Sequence, residues 1–155
     1  DSEPIKVRAT GFNPFEGIYD FACHSNCDLV YENNLFASVT LSWLSAIKTR
    51  RMIFGGTKET VVYDHLDEDQ QIKIFKQSIL PSEIDASTQF EYSVGETVLP
   101  LIDNIEPLKK EIEEVVRCLK TNTKFVSDVD HAIKTIKVIE SLQLSLMSNS
   151  EFIDT

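Results

Sequence analysis

From Leu35 to Leu44 the chain alternates without a break. Leu35, Ala37, Val39, Leu41 and Trp43 take one set of positions, and Phe36, Ser38, Thr40, Ser42 and Leu44 take the other. A period of two over this length admits a β-strand and little else, because successive strand side chains leave opposite faces whereas a helix would scatter the pattern around its axis. One face of the expected sheet is wholly apolar. The other carries small hydroxyls with an occasional large apolar residue, which suits a face met by a partner or ligand better than one left in water.

The same reading extends over the first two thirds of the chain. Ile5, Val7 and Ala9 alternate with Lys6, Arg8 and Thr10, residues 18–31 read as a second strand, and Glu32-Asn33-Asn34 supplies the hairpin turn into the third. Further strands are expected at 51–54, 59–63 and 71–76, separated by Gly55-Gly56-Thr57-Lys58 and by the acidic tract 64–70. Gly55 and Gly56 are expected at positive φ in a turn between strands. Residues 80–106, broken by Pro81 and Pro100, read as an extended connection with one short strand at 90–93.

Two helices close the chain. Pro107 suits a first helical position, and Leu108, Ile112, Val115, Val116 and Leu119 form one stripe that stops before Asn122. Ser127 and Asp130 resemble a capping box ahead of a second stripe through Ala132, Ile136, Ile139, Leu142 and Leu146. The expected fold is α+β: a large, mainly antiparallel open sheet, both helices on its apolar face, the other face available for oligomerisation.

Composition narrows function. The chain has 155 residues, 42% of them hydrophobic, which fits a single domain, 1–155, with a real core. Its 25 Asp and Glu against 15 Lys and Arg give a formal charge of -10, which repels a phosphate backbone and argues against general nucleic-acid binding. No apolar run approaches the roughly 20 residues that span a bilayer, and the first residues have no signal core, so a cytoplasmic protein with no membrane partner is expected. Without an initiator Met, and with a strand beginning almost at once, the chain is expected to be a piece of something longer.

Chemistry-bearing motifs are few. On a strand rising about 3.3 Å per residue, Cys23 and Cys27 stand roughly 13 Å apart, too far for one zinc ion or one disulfide. These two and Cys118 are expected to be reduced thiols, with no metal site. Asp20, His24 and Asp28 are spread along the same expected strand and assemble no triad, and the chain has neither G-x-S-x-G nor G-x-G-x-x-G. Gly55-Gly56-Thr57-Lys58 lacks the phosphate-loop pattern and precedes a strand where that loop needs a helix. No catalytic and no cofactor-binding residue is therefore expected. Lys48, Arg50 and Arg51 stand apart: three cations within four residues of an acidic chain, able to hold a phosphate or carboxylate, with Trp43 nearby in sequence to border a sugar or base. The alternative is a solvated strand end with weak ion pairs.

The order of these features resembles the C-terminal domain of the glucose-fructose oxidoreductase, inositol dehydrogenase and MocA family (Gfo/Idh/MocA). Ser42-Trp43-Leu44, Lys48-Thr49-Arg50, Ile53-Phe54-Gly55-Gly56 and Val62-Tyr63-Asp64-His65-Leu66 follow the family's run of motifs, with His65 where an acid is more usual. Glu106-Pro107-Leu108-Lys109-Lys110-Glu111 resembles its E-P-L-x-x-E helix start, and Ser127-Asp128 its S-D-G. The second half is most similar to the branch acting on nucleotide-linked sugars. The resemblance implies a C-terminal substrate-binding and oligomerisation domain of an NAD or NADP-dependent sugar dehydrogenase. The partners it implies are a sugar or nucleotide-sugar substrate, a second copy across the open sheet face, and an N-terminal Rossmann domain. The Rossmann domain, the Glu-Lys-Pro lysine and the Asp-x-x-x-His pair of the family are not in this chain, so it is expected to bind no nicotinamide cofactor and to be inactive alone. Asp20 and His24 copy that last pair by letter only. A free-standing, non-catalytic binding or assembly module with the same fold is the other reading.

Overall fold

In the computed structural model, which describes residues 2–81, 90–102 and 105–155, the alternating run becomes β3 (Phe36–Ser42), the outer strand of a four-stranded antiparallel sheet. Its neighbours are β2 (His24–Tyr31) and β1 (Pro4–Phe12), and the short β10 (Ile153–Asp154) pairs on the far side of β1. The register Val7↔Leu29↔Ala37 and Ala9↔Cys27↔Val39 puts the apolar positions of three strands on one face, as the alternation predicts. Glu32–Asn34 makes the expected turn as a 3-10 segment, with Asn33 and Asn34 both at φ 61°. Asparagine tolerates that left-handed region better than most side chains.

β2 begins later than its alternation suggests. Residues 13–23 form a loop organised by Asn13, whose side-chain amide donates to the Tyr19 carbonyl (2.7 Å) and whose Oδ1 accepts the Phe15 N–H (2.9 Å). An Asx-type turn of this kind competes with extended structure for the backbone, and here it wins.

The helices are α1 (Pro107–Thr121) and α2 (Val129–Met147). Pro107 opens α1 and Asn122, in the left-handed region at φ 52°, ends it. The N-cap of α2 is Asp128, whose carboxylate accepts the His131 N–H (3.0 Å), one residue beyond the Ser127 cap expected from sequence. α2 packs against β1 and β10. Of the predicted stripe Ala132, Ile136, Ile139, Leu142 and Leu146, Leu142 is half-buried and the others stay exposed; the side it buries centres on Ser141 and Ser145, with Val138 and Leu142 beside them. Ser145 explains the rotation: its Oγ accepts the Ala9 N–H (2.9 Å) and donates to the Glu151 carbonyl (2.6 Å). The two-residue β10 covers β1 only at Lys6 and Val7, so the Ala9 N–H beyond it needs another acceptor. The apolar stripe of α1, from Leu108 to Leu119, is exposed.

The chain divides into two units, Asp1–Ala46 with Glu106–Thr155, and Ile47–Ile105. The second holds β4 (Arg51–Gly55), β5 (Thr60–Asp64), β6 (Ile72–Phe75) and β9 (Thr97–Val98) as a second antiparallel sheet, and a hairpin of β7 (Ser78–Pro81) and β8 (Phe90–Ser93). The predicted strands 51–54, 59–63, 71–76 and 90–93 are present. β7 and β9 were not anticipated, being short and lying in or beside the proline-broken stretch. Residues 82–89 and 103–104 of that predicted connection lie outside the described residues. The architecture is α+β and mainly antiparallel, as expected. The β4–β5 turn closes with the Gly56 N–H on the Glu59 carbonyl (2.9 Å), yet neither Gly55 nor Gly56 has positive φ, contrary to expectation. Gly56 is needed for space instead: a Cβ there would stand 3.1 Å from the Glu59 carbonyl oxygen.

Candidate functional site

The predicted contact residues divide between the units. Trp43 follows β3 in the first, its N–H bonded to the Cys23 carbonyl (2.8 Å) and its side chain 85% exposed. Lys48, Arg50 and Arg51 belong to the second, all exposed. Among the described residues Arg8, Lys73, Lys76, Arg117, Lys124 and Lys134 are paired with carboxylates, and Lys48, Arg50 and Arg51 are among the cations that are not. Lys48 and Arg50 precede β4 and Arg51 begins it.

The β4–β5 ladder sorts the cations by face. Arg51 stands opposite Asp64 and Met52 opposite Tyr63, and the His65 N–H to the Arg50 carbonyl (2.9 Å) extends the pairing by one rung. Alternation then puts Arg50, Met52, Tyr63 and His65 on one face and Arg51 with Asp64 on the other. The Tyr63 hydroxyl and His65 Nδ1 are 3.1 Å apart, their rings 6.3 Å between centroids. His65 was not among the contact residues expected from the sequence. The length of the turn at 56–59 sets the register that places it beside Arg50, and its departure from the acid usual in Tyr-Asp-Asp-Leu was the available signal.

The acids nearby are engaged elsewhere. Asp67 accepts from Lys73 Nζ (2.8 Å) and from the N–H groups of Gln70 (2.9 Å) and Asp69 (3.2 Å), which hold its carboxyl below the usual range. Asp64 Oδ1 accepts the Leu66 N–H (3.0 Å).

On the first sheet, the face opposite α2 is a polar ladder. Arg8 meets Asp28 at 2.6 Å, Ser38 donates to Asp28 (3.2 Å), Thr40 donates to Asn26 (2.8 Å), and Asn26 Nδ2 lies 3.3 Å from His24 Nε2. Asp28 is thus bound into the ladder and Asp20 stays in the 13–23 loop, so Asp20, His24 and Asp28 form no centre. Phe36, Ser38, Thr40 and Ser42 share this exposed face.

The three cysteines are buried free thiols, and burial raises the Cys27 thiol above its ordinary pKa. Among the described residues no group of three His, Cys, Asp or Glu side chains is placed to hold a metal ion, and no helix is long and apolar enough to cross a membrane. An open cavity of about 400 Å³ lies between the start of β1 and the first turns of α2. The Glu3–Lys134 ion pair (2.7 Å) is part of its lining, and it contains none of the predicted contact residues.

No protein-family model and no curated protein matches the sequence. Solved structures do. Aldose-aldose oxidoreductase from Caulobacter crescentus is 13% identical at a TM-score of 0.73, over 99% of this chain and 42% of its own. UDP-N-acetylglucosamine 3-dehydrogenase from Acidithiobacillus ferrooxidans is 17% identical at 0.69, over 95% and 41%. An NAD binding oxidoreductase from Klebsiella pneumoniae is 10% identical at 0.71, over 98% and 45%. The chain therefore spans less than half the length of each. Its fold is that of the C-terminal portion of Gfo/Idh/MocA-type oxidoreductases.

Proposed function

We propose that this chain is the substrate-contact and subunit-assembly portion, without the cofactor site, of an NAD(P)-dependent oxidoreductase acting on a sugar or nucleotide sugar in the cytoplasm. The observation that carries the reading is the match of nearly the whole chain to less than half of enzymes that include an aldose-aldose oxidoreductase and a nucleotide-sugar dehydrogenase. In this reading an N-terminal Rossmann domain holds NAD or NADP, and Lys48, Arg50 and Arg51 meet an anionic part of the substrate such as a diphosphate; Trp43, in the other unit, is a separate candidate contact for a sugar or base. That no carboxylate among the described residues is paired with these cations supports the role.

NADH and NADPH titrated against the 155-residue chain are expected to show no saturable binding, because the groups that hold a dinucleotide pyrophosphate are missing. In the protein carrying a Rossmann domain, at least one of Lys48→Ala, Arg50→Ala and Arg51→Ala should weaken substrate binding about ten- to a hundredfold with the fold intact. Unchanged affinity in all three would remove the site. A reading frame without a dinucleotide-binding sequence upstream would leave the other reading, a free-standing assembly module.

A further inference from the structure

We propose that Arg50 and His65 form a pH-responsive clamp for a phosphate-type oxyanion, with Tyr63 positioning the imidazole. This deepens the reading above and rests on it. Three observations converge on the one face of β4 and β5. The backbone bond from His65 N–H to the Arg50 carbonyl (2.9 Å) makes the two residues cross-strand neighbours. Neighbours on one face of an antiparallel pair have Cβ atoms about 5 Å apart, close enough to share one tetrahedral anion. Among the described residues Arg50 has no carboxylate partner for its fork of donors.

The third observation is the 3.1 Å contact of the Tyr63 hydroxyl with His65 Nδ1. When the phenol donates to Nδ1, the imidazole proton resides on Nε2, the nitrogen on the far side of the ring from Tyr63. The neutral ring then still offers one N–H to an anion. Protonation puts a proton on Nδ1 as well, which turns the hydrogen bond round so that the phenol oxygen accepts, and it adds a full positive charge beside Arg50.

Among the described residues no carboxylate is paired with His65. Asp64 alternates to the other face, opposite Arg51. Asp67, in the turn that follows, is held by Lys73 and by two backbone N–H groups. On the β4 side the facing residue is Arg50 itself. An anion held by both side chains favours the charged imidazolium, which couples proton uptake to ligand binding.

The test is a histidine titration of the 155-residue chain by NMR between about pH 5 and pH 8, the range in which imidazole changes charge. It is run without ligand, with sulfate, and with UDP-N-acetylglucosamine, two anions whose charge is constant over that range. Either ligand should raise the His65 pKa while leaving His24 and His131 in place, with affinity about three- to tenfold tighter at the acid end. A larger effect of the nucleotide sugar identifies a diphosphate substrate; equal effects identify a free oxyanion. His65→Gln should abolish the pH dependence and keep the binding seen at high pH, and Arg50→Ala should weaken binding throughout. An unshifted His65 with both ligands, or a pH slope that survives in His65→Gln, overturns the clamp. If Arg50→Ala weakens binding while that slope survives, the substrate site stands without the clamp. If Lys48→Ala, Arg50→Ala and Arg51→Ala all bind normally, the substrate site itself fails.

Discussion

Ser145 is fully buried and uses its hydroxyl in both directions, accepting from the Ala9 N–H and donating to the Glu151 carbonyl. Ser145→Ala leaves a buried backbone donor and an acceptor without a partner, so unfolding free energy should fall by about 1–3 kcal/mol. Urea denaturation checks this, and an unchanged midpoint would mean that water replaces the hydroxyl. The residue was not legible in the sequence. A serine in a helix interior reads as a tolerated surface position, and the larger apolar residues around it offered a stripe that satisfied the helical period just as well. What decided the orientation was an N–H on a strand 136 positions earlier.

Elements were far easier to read than the faces they bury. Strict alternation located β1 and β3 because the period-two signal is local, and Pro107 and Asn122 marked the ends of α1 because proline and left-handed asparagine have few other uses there. β9 escaped because a strand of two residues carries no period to detect, and β7 because it runs into Pro81, which reads as a break. Within α1, Glu114 receives Arg117 through two short contacts, 2.6 and 2.7 Å, and the Cys118 thiol at 3.3 Å. The hydrogen bond from Arg117, then that from Cys118, bring the Glu114 carboxyl down to about 2. With the folded pKa below the unfolded one, the contribution is present above the unfolded value of about 4.3 and is lost as pH falls through the folded one. Helicity and stability of the chain should therefore decline between pH 4 and about 2 less steeply in Glu114→Gln than in the parent, measured by circular dichroism. Equal acid sensitivity would show the pair to be inconsequential.

At the scale of the whole molecule the antiparallel α+β plan followed from alternation plus two amphipathic helices, and the candidate site was legible in part. Charge density singled out Lys48, Arg50 and Arg51, but His65 came into view only through strand register, which a sequence read residue by residue does not contain. The second expectation at this scale is self-association across the face bearing Phe36, Ser38, Thr40 and Ser42, where small hydroxyls and an apolar ring suit a symmetric interface. Thr40→Lys places a charge in the middle of that face and removes the Thr40–Asn26 bond, so light scattering should show the oligomer dissociating to monomers. An oligomer indifferent to the lysine would place the interface elsewhere.

The hydroxyl that satisfies Ala9 has a consequence in time. Ribosomes add about 5–20 residues per second, so a partner 136 positions downstream emerges on the order of ten seconds after the strand that needs it. During that interval the outer edge of β1 lacks both Ser145 and the β10 residues Ile153 and Asp154, and its backbone groups are open to any extended segment within reach. Synthesis leaves β1 waiting for a residue 136 positions later, and a nascent chain stalled before Ser145 would be the form most exposed to wrong pairing.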